Sequence, residues 1–189
     1  MSLDTKSNFD ELRWVIQIRR TLEEELGEDG EFPVSIFSVP KLLRVCEPDS
    51  YIPQQVALGP YHYWRPELYE MQRHKLAAAK RFHKQLQSLN LDNLVDQLSK
   101  LEPRIRACHH KFLDFNGDTL VWMMAIDASF LLEFLQDGTI VPRRKSSHNA
   151  ILRDIVMLEN QIPLFVLRKM LELKFSSLEA ADDMLSRRL

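Results

Sequence analysis

The chain has 189 residues, 45% of them hydrophobic and 28% charged, which suits one ordinary globular domain with enough apolar surface to build a core. A formal net charge of −2 excludes a general electrostatic attraction to nucleic acid or anionic membrane, and five glycines are too few for turn-rich β architecture or a glycine-lined phosphate loop. Cys46 and Cys108 make no disulfide framework, and the polar, acidic opening is neither a secretory signal nor an Arg-rich transit peptide, so a soluble chain in a reducing, intracellular compartment is expected.

In chain order, residues 8–26 read as an amphipathic helix, with Asn8 and Glu11 as a capping box, an apolar stripe of Leu12, Val15, Ile16, Leu22 and Leu26, and Gly27 as its end. After an acidic loop, residues 32–39 alternate in character. No second strand offers itself, so an extended segment lying on helices is expected. Pro40 suits the first position of a short helix, KLLRVC. Residues 47–66 are rich in proline and aromatics and form an ordered loop, because so many rings are not left in water. Its Tyr51, Tyr61, His62 and Trp64 either cover one end of a helical core or present a contact surface to a partner.

Pro66 opens a long helix to Leu89, with Leu68, Met71, Phe82, Leu86 and Leu89 facing inward. From Asn90 an apolar stripe at spacings of three and four runs through Leu91, Leu94, Val95, Leu98, Leu101, Ile105, Cys108 and Phe112. It keeps phase across Pro103, where the helix either kinks or restarts, and Asn116-Gly117 closes it. Residues 119–135 are the centre of the chain: thirteen of the sixteen residues 120–135 are apolar, the exceptions being Asp127, Ser129 and Glu133. A helix apolar on nearly every side is buried on nearly every side. A membrane span is excluded by its length, short of about 20 residues, and by a mid-helix carboxylate. Asp118 or Thr119 caps its start and Gly138 its end. Residues 137–148 read as a polar loop, Asn149 as the cap of a helix AILRDIVMLENQ, and Pro163 as the start of the next. Ser176 or Ser177 then caps a last helix.

None of the phosphate-loop, dinucleotide, nucleophile-elbow or zinc-protease motifs occurs. Cys108, His109 and His110 are consecutive, so on a helix they point about 100° apart and do not converge on one metal. No catalytic, cofactor-binding or metal-ligating residue is assigned. Asp127 needs a partner or a raised pKa in so apolar a helix, and Arg104, Arg106 and His109 on the preceding segment are its expected partners. In the run 158–163, Glu159, Asn160 and Gln161 can satisfy backbone groups that a helix junction exposes.

The ordered series Val39-Pro40, Tyr51, Pro53, Gly59-Pro60-Tyr61-His62, Met71, His74-Lys75, Arg106, Cys108, Met123-Met124, Asp127, Phe130, Asp154 and LENQIP at 158–163 resembles the plant domain of unknown function 247 family, also named UPF0481. The resemblance covers residues 33–175. Gln72, His109 and Ala128-Ser129 depart from the residues usual in that family. It implies an N-terminal half, with relatives about twice as long that end in a hydrophobic segment taken as a membrane anchor. It implies no established reaction, and a link of some grass members to pollen self-incompatibility suggests recognition.

An all-α, irregular helical bundle around a buried central helix is therefore expected, in three parts: 1–30, a family core 31–175, and 176–189 as the start of a further region. Arg106, Asp127, Asp154, Glu159, Asn160 and Gln161 form a structural polar motif. A non-enzymatic module with an unidentified protein partner, no nucleic acid and no cofactor is the leading reading. An enzyme with an acid/base site around Asp127 and the 59–62 loop is the rival.

Overall fold

The structure, a computed structural model, describes residues 33–86, 91–137, 145–175 and 177–188, together with 11, 12, 14–16, 18 and 19. The chain divides into two units, Met1–Pro33 and Val34–Leu189. In the first, residues 11, 12, 14–16, 18 and 19 are helical; Asn8, Leu22, Leu26 and Gly27 lie outside the described residues. The second unit is all-α, and the described residues contain no strand.

Its helices are α1 (Lys41–Cys46), α2 (Gln72–Gln85), α3 (Leu91–Ser99), α4 (Glu102–Ala107), α5 (Gly117–Asp137), α6 (Lys145–Ile155), α7 (Leu164–Phe175) and α8 (Leu178–Arg188). Two 3-10 helices, Pro48–Tyr51 and Pro66–Met71, flank the aromatic loop. The centre is α5. Leu120, Met124, Ala128, Phe130 and Leu132 are sealed from solvent along it, and α2, α3, α4 and α7 pack around it. Apolar residues on nearly every side of a helix require that enclosure.

Helix ends differ from the sequence expectations for local reasons. Asn116, not Asp118 or Thr119, caps α5: its Oδ1 accepts from the Asp118 N–H at 2.9 Å and its carbonyl from the Leu120 N–H at 3.0 Å. Gly138 lies outside the described residues. The long helix expected from Pro66 begins instead with a 3-10 turn and becomes α-helical at Gln72. Pro103 stands in the first turn of a new helix, α4, which ends at Ala107 rather than running to Asn116. Arg106 explains that stop, because its guanidinium donates to the Leu113 carbonyl at 2.7 Å and the Phe115 carbonyl at 2.6 Å, folding the chain back onto the helix end.

Helix α6 starts at Lys145, so Asn149 lies inside it, and it ends at Ile155, leaving 156–163 outside any helix. Pro163 sits just ahead of α7, its carbonyl accepting from the Val166 N–H at 2.9 Å. Ser177 caps α8 through its hydroxyl, 3.4 Å from the Ala180 N–H, and Ala181 of α8 is buried with the core. The 33–40 stretch is extended. Ser35 and Ile36 donate to the Cys108 carbonyl, and His110 donates to Ile36, giving an isolated parallel bridge without a strand.

Between the 3-10 helices the backbone does something a surface loop does not: residues 56–60 run fully buried through the unit. Gly59 sits there at φ 68°, and a Cβ at that position would stand 2.5 Å from the Gln161 carbonyl oxygen. Both facts require glycine. Gly59→Ala is expected to lower stability by about 2 kcal/mol or more, from left-handed strain and the clash together. Denaturant unfolding measures it, and a loss within error of zero would contradict the packing described.

Candidate functional site

Four polar side chains, Lys75, Asp127, Asp154 and Asn160, converge on that extended segment. Its N–H and C=O groups have no helix or sheet to pair with, and an unpaired buried backbone group costs about 1–3 kcal/mol. Side chains from distant parts of the chain supply the partners. Asp154, fully buried on α6, accepts from the Gln54, Gln55 and Val56 N–H groups at 2.9, 2.5 and 3.0 Å through a single oxygen, Oδ2. Asn160 accepts from the Leu58 N–H at 2.6 Å and donates to the Val56 carbonyl at 2.9 Å and the Asp154 carbonyl at 2.8 Å. Asp127 accepts from the Gly59 N–H at 2.9 Å.

The partner of Asp127 is Lys75, not Arg104, Arg106 or His109. The Lys75 ammonium forms an ion pair with Asp127 Oδ1 and donates to the Ala57 carbonyl at 2.8 Å, and each of the two side chains is 1% exposed. The three expected partners are engaged elsewhere. Arg104 lies over the Phe165 ring at 4.2 Å, Arg106 binds Glu102 and the 113–115 carbonyls, and His109 places Nδ1 2.6 Å from the Ile105 carbonyl oxygen. Complete burial pushes the Asp127 carboxyl above its usual range, while the Lys75 charge and the Gly59 N–H pull it back toward ionisation. The sequence carried a signal for Lys75 that composition hides. Leu68, Met71, Lys75, Ala78 and Phe82 are spaced three and four apart, so the lysine occupies a core position of an otherwise apolar stripe.

Glu159 ties the outer pieces together. It accepts from the Val39 N–H and from Lys111 Nζ, each at 2.9 Å, and from the Arg44 guanidinium. Burial works to raise its pKa, but these bonds and the Lys111 and Arg44 charges prevail, holding it below the ordinary carboxylate value. His62 Nε2 stands 3.7 Å from the same carboxylate. Burial, aided by Arg65, Lys111 and Arg44 against the pull of Glu159, lowers the His62 pKa to about 4, so the ring is neutral at physiological pH. Gln161 closes α6 by donating to the Ile155 and Met157 carbonyls at 2.7 and 2.6 Å.

The four aromatic-loop residues differ in exposure. Tyr61 is half-buried, bonded to the Ile36 carbonyl at 3.3 Å and to the Lys111 N–H at 3.0 Å, and His62 is buried. Tyr51 is half-buried as well, whereas Trp64 is 65% exposed and stacks on Phe115 with ring centroids 6.0 Å apart. Helix α1 exposes apolar side chains that the sequence did not single out. None of its six residues is buried, and Leu42 and Val45 are 75% and 80% exposed. Arg44 fastens this helix to Glu159, whose neighbours Val156 and Leu158 are exposed too.

Chemically, the arrangement holds backbone in place, its carboxylates engaged with N–H groups, lysine and arginine. Among the described residues no three His, Cys, Asp or Glu side chains are grouped to hold a metal ion, and no helix is long and apolar enough to cross a membrane.

Comparison with known proteins gives a match to the family model of DUF247, a plant protein of unknown function, over residues 36–188. A UPF0481 protein of Arabidopsis thaliana is 51% identical over 185 residues, which is 94% of this chain and 35% of that protein. A second UPF0481 protein of the same plant is 31% identical over 156 residues, covering 76% of this chain and 32% of its own length. The chain thus spans about a third of these curated relatives. No solved structure matches it.

The Lys75–Asp127 pair yields a direct test. Lys75→Met strands a buried carboxylate and is expected to lower stability by about 3–5 kcal/mol. Adding Asp127→Asn removes the charge and keeps an acceptor for Gly59, so the double variant is expected to regain at least half of the loss. Urea unfolding of the two variants decides it; a double variant no more stable than Lys75→Met would contradict the pairing.

Proposed function

This chain belongs to the plant DUF247 family, and within that family we propose that it acts as a protein-recognition module rather than an enzyme. The observation that carries this reading is helix α1: six residues with no buried side chain, presenting Leu42, Leu43 and Val45 to solvent while Arg44 fixes the helix to Glu159. A short helix that buries nothing gains little from folding alone, and apolar side chains gathered on a rigid surface mark contact sites. Val156 and Leu158 extend that surface. Trp64 supplies a further exposed aromatic of the kind enriched at binding hot spots. Against an enzyme stands the use of Asp127, Asp154 and Glu159 as internal acceptors. Membrane association of the longer relatives, through a segment beyond the matched region, is part of the same proposal and brings the module close to a membrane without inserting it.

The test is affinity capture from plant extract followed by reconstitution with the purified partner in calorimetry. Leu42→Asp combined with Val45→Asp is expected to weaken binding at least about tenfold, roughly 1.4 kcal/mol, with the melting temperature unchanged. Binding indifferent to both substitutions and to Trp64→Ala would overturn this surface. A hydrolytic or transfer activity abolished in a folded Asp127→Asn variant would overturn the recognition reading itself.

A further inference from the structure

Helix α1, KLLRVC, contains two cations, Lys41 and Arg44, and no acidic residue. At about 100° per residue, Lys41 and Arg44 fall together on one flank, beside a ridge made by Leu42 and Val45. Ridge and Lys41 alike lie open to solvent. The charge along that flank therefore bears on what can cover the ridge.

Positive groups outnumber negative ones there. Arg44 and Lys111 share a single oxygen, Oε1 of the buried Glu159, yet their side chains remain 43% and 40% exposed. The bond to Glu159 uses one of the five guanidinium donors of Arg44, so others are left for a second carboxylate. His62, whose Nε2 is buried 3.7 Å from Glu159, registers the same imbalance from inside. Burial is the largest cause of its depressed pKa of about 4; of the charges acting on the ring, Glu159 alone raises it, while Arg65, Lys111 and Arg44 lower it. Glu47 and Asp49 belong to the turn after α1, where Glu47 accepts from the Ser50 hydroxyl at 3.0 Å, and Glu67 lies 3.8 Å from Arg65. An apolar ridge gains by being covered, and uncompensated cations beside it favour an acidic neighbour and oppose a basic one.

We infer that α1 docks an acidic amphipathic segment of a partner protein, with apolar side chains on Leu42 and Val45 and Asp or Glu side chains at Lys41, Arg44 and Lys111. This names the chemistry of the partner that the recognition reading calls for, and it rests on that reading.

The experiment uses the full 189-residue chain and labelled peptides of about 18 residues, with leucines at helical spacing and either Glu, Gln or Lys at every polar position. Fluorescence anisotropy follows binding. The Glu peptide is expected to bind at least about tenfold more tightly than the Gln peptide, the Lys peptide most weakly, and added salt to narrow the difference. Lys41→Glu is expected to weaken the Glu peptide and strengthen the Lys peptide with the melting temperature unchanged, because that side chain lies in solvent. Leu42→Ala with Val45→Ala, which alters no charge, is expected to weaken the Glu and Gln peptides together. Glu and Gln peptides that bind alike, and are both lost in the double alanine variant, would overturn the acidic partner and leave α1 standing as a recognition surface. No binding of the Glu peptide at about 1 mM, or binding indifferent to Lys41→Glu, would also overturn the proposal. The recognition reading itself is decided apart from these, by the captured partner and the Leu42→Asp, Val45→Asp variant. Phosphatidylserine vesicles that bind through Lys41 while the Glu peptide does not would reassign the flank to a membrane surface and equally overturn the proposal.

Discussion

A stretch of non-helical backbone passes through the interior of this protein, and its amide groups are paired by side chains rather than by other backbone. Asp154 on α6 accepts from three N–H groups of the 54–59 stretch, Asn160 after it and Asp127 on α5 from one each, and Lys75 on α2 donates to the Ala57 carbonyl. In an apolar interior each such bond removes a penalty of about 1–3 kcal/mol, so losing one element would strand several groups at once.

The sequence distances matter as much as the bonds. Asp154 and Asn160 reach back about a hundred residues to the 54–58 backbone, and Asp127 sixty-eight to Gly59. No local segment can satisfy the extended stretch alone, so it becomes ordered only when α5 and the 154–160 region are in place. Contacts of that separation make folding slower and the folded unit cooperative. They also give Gly59 its role, since the same backbone must pass within touching distance of Gln161.

Much of this was legible in the sequence, and the failures have physical causes. The central helix was legible because thirteen apolar residues in sixteen admit no exposed face. The polar residues at 159–161 were legible as partners for loose backbone groups, but reading them locally reached only the α6 junction that Gln161 closes. Their larger use, on a segment a hundred positions earlier, leaves no local trace. Lys75 was hidden because it lies among Arg73, His74, Lys80 and Arg81, where a charge looks like an ordinary solvated one; only its place in the stripe separates it. The end of α4 was hidden for the opposite reason. The apolar period continues through Cys108 to Phe112, yet Phe112 is exposed and Arg106 turns the backbone away. Of the aromatic loop, Tyr61 and His62 are packed among the 36, 111 and 159 regions while Trp64 stays exposed, and the short helix that Glu159 holds exposes further apolar side chains.

For a family without an assigned reaction, that division is informative. Lys75, Asp127, Asp154 and Asn160 hold the 54–59 backbone, while Glu159 ties Val39, Arg44 and Lys111 together. Native-state hydrogen exchange at the Val56, Leu58 and Gly59 amides tests the central point most directly. We expect these three to exchange only through global unfolding, with the same opening free energy as the amides of α5. Exchange on the timescale of a surface loop, while α5 stays protected, would contradict it.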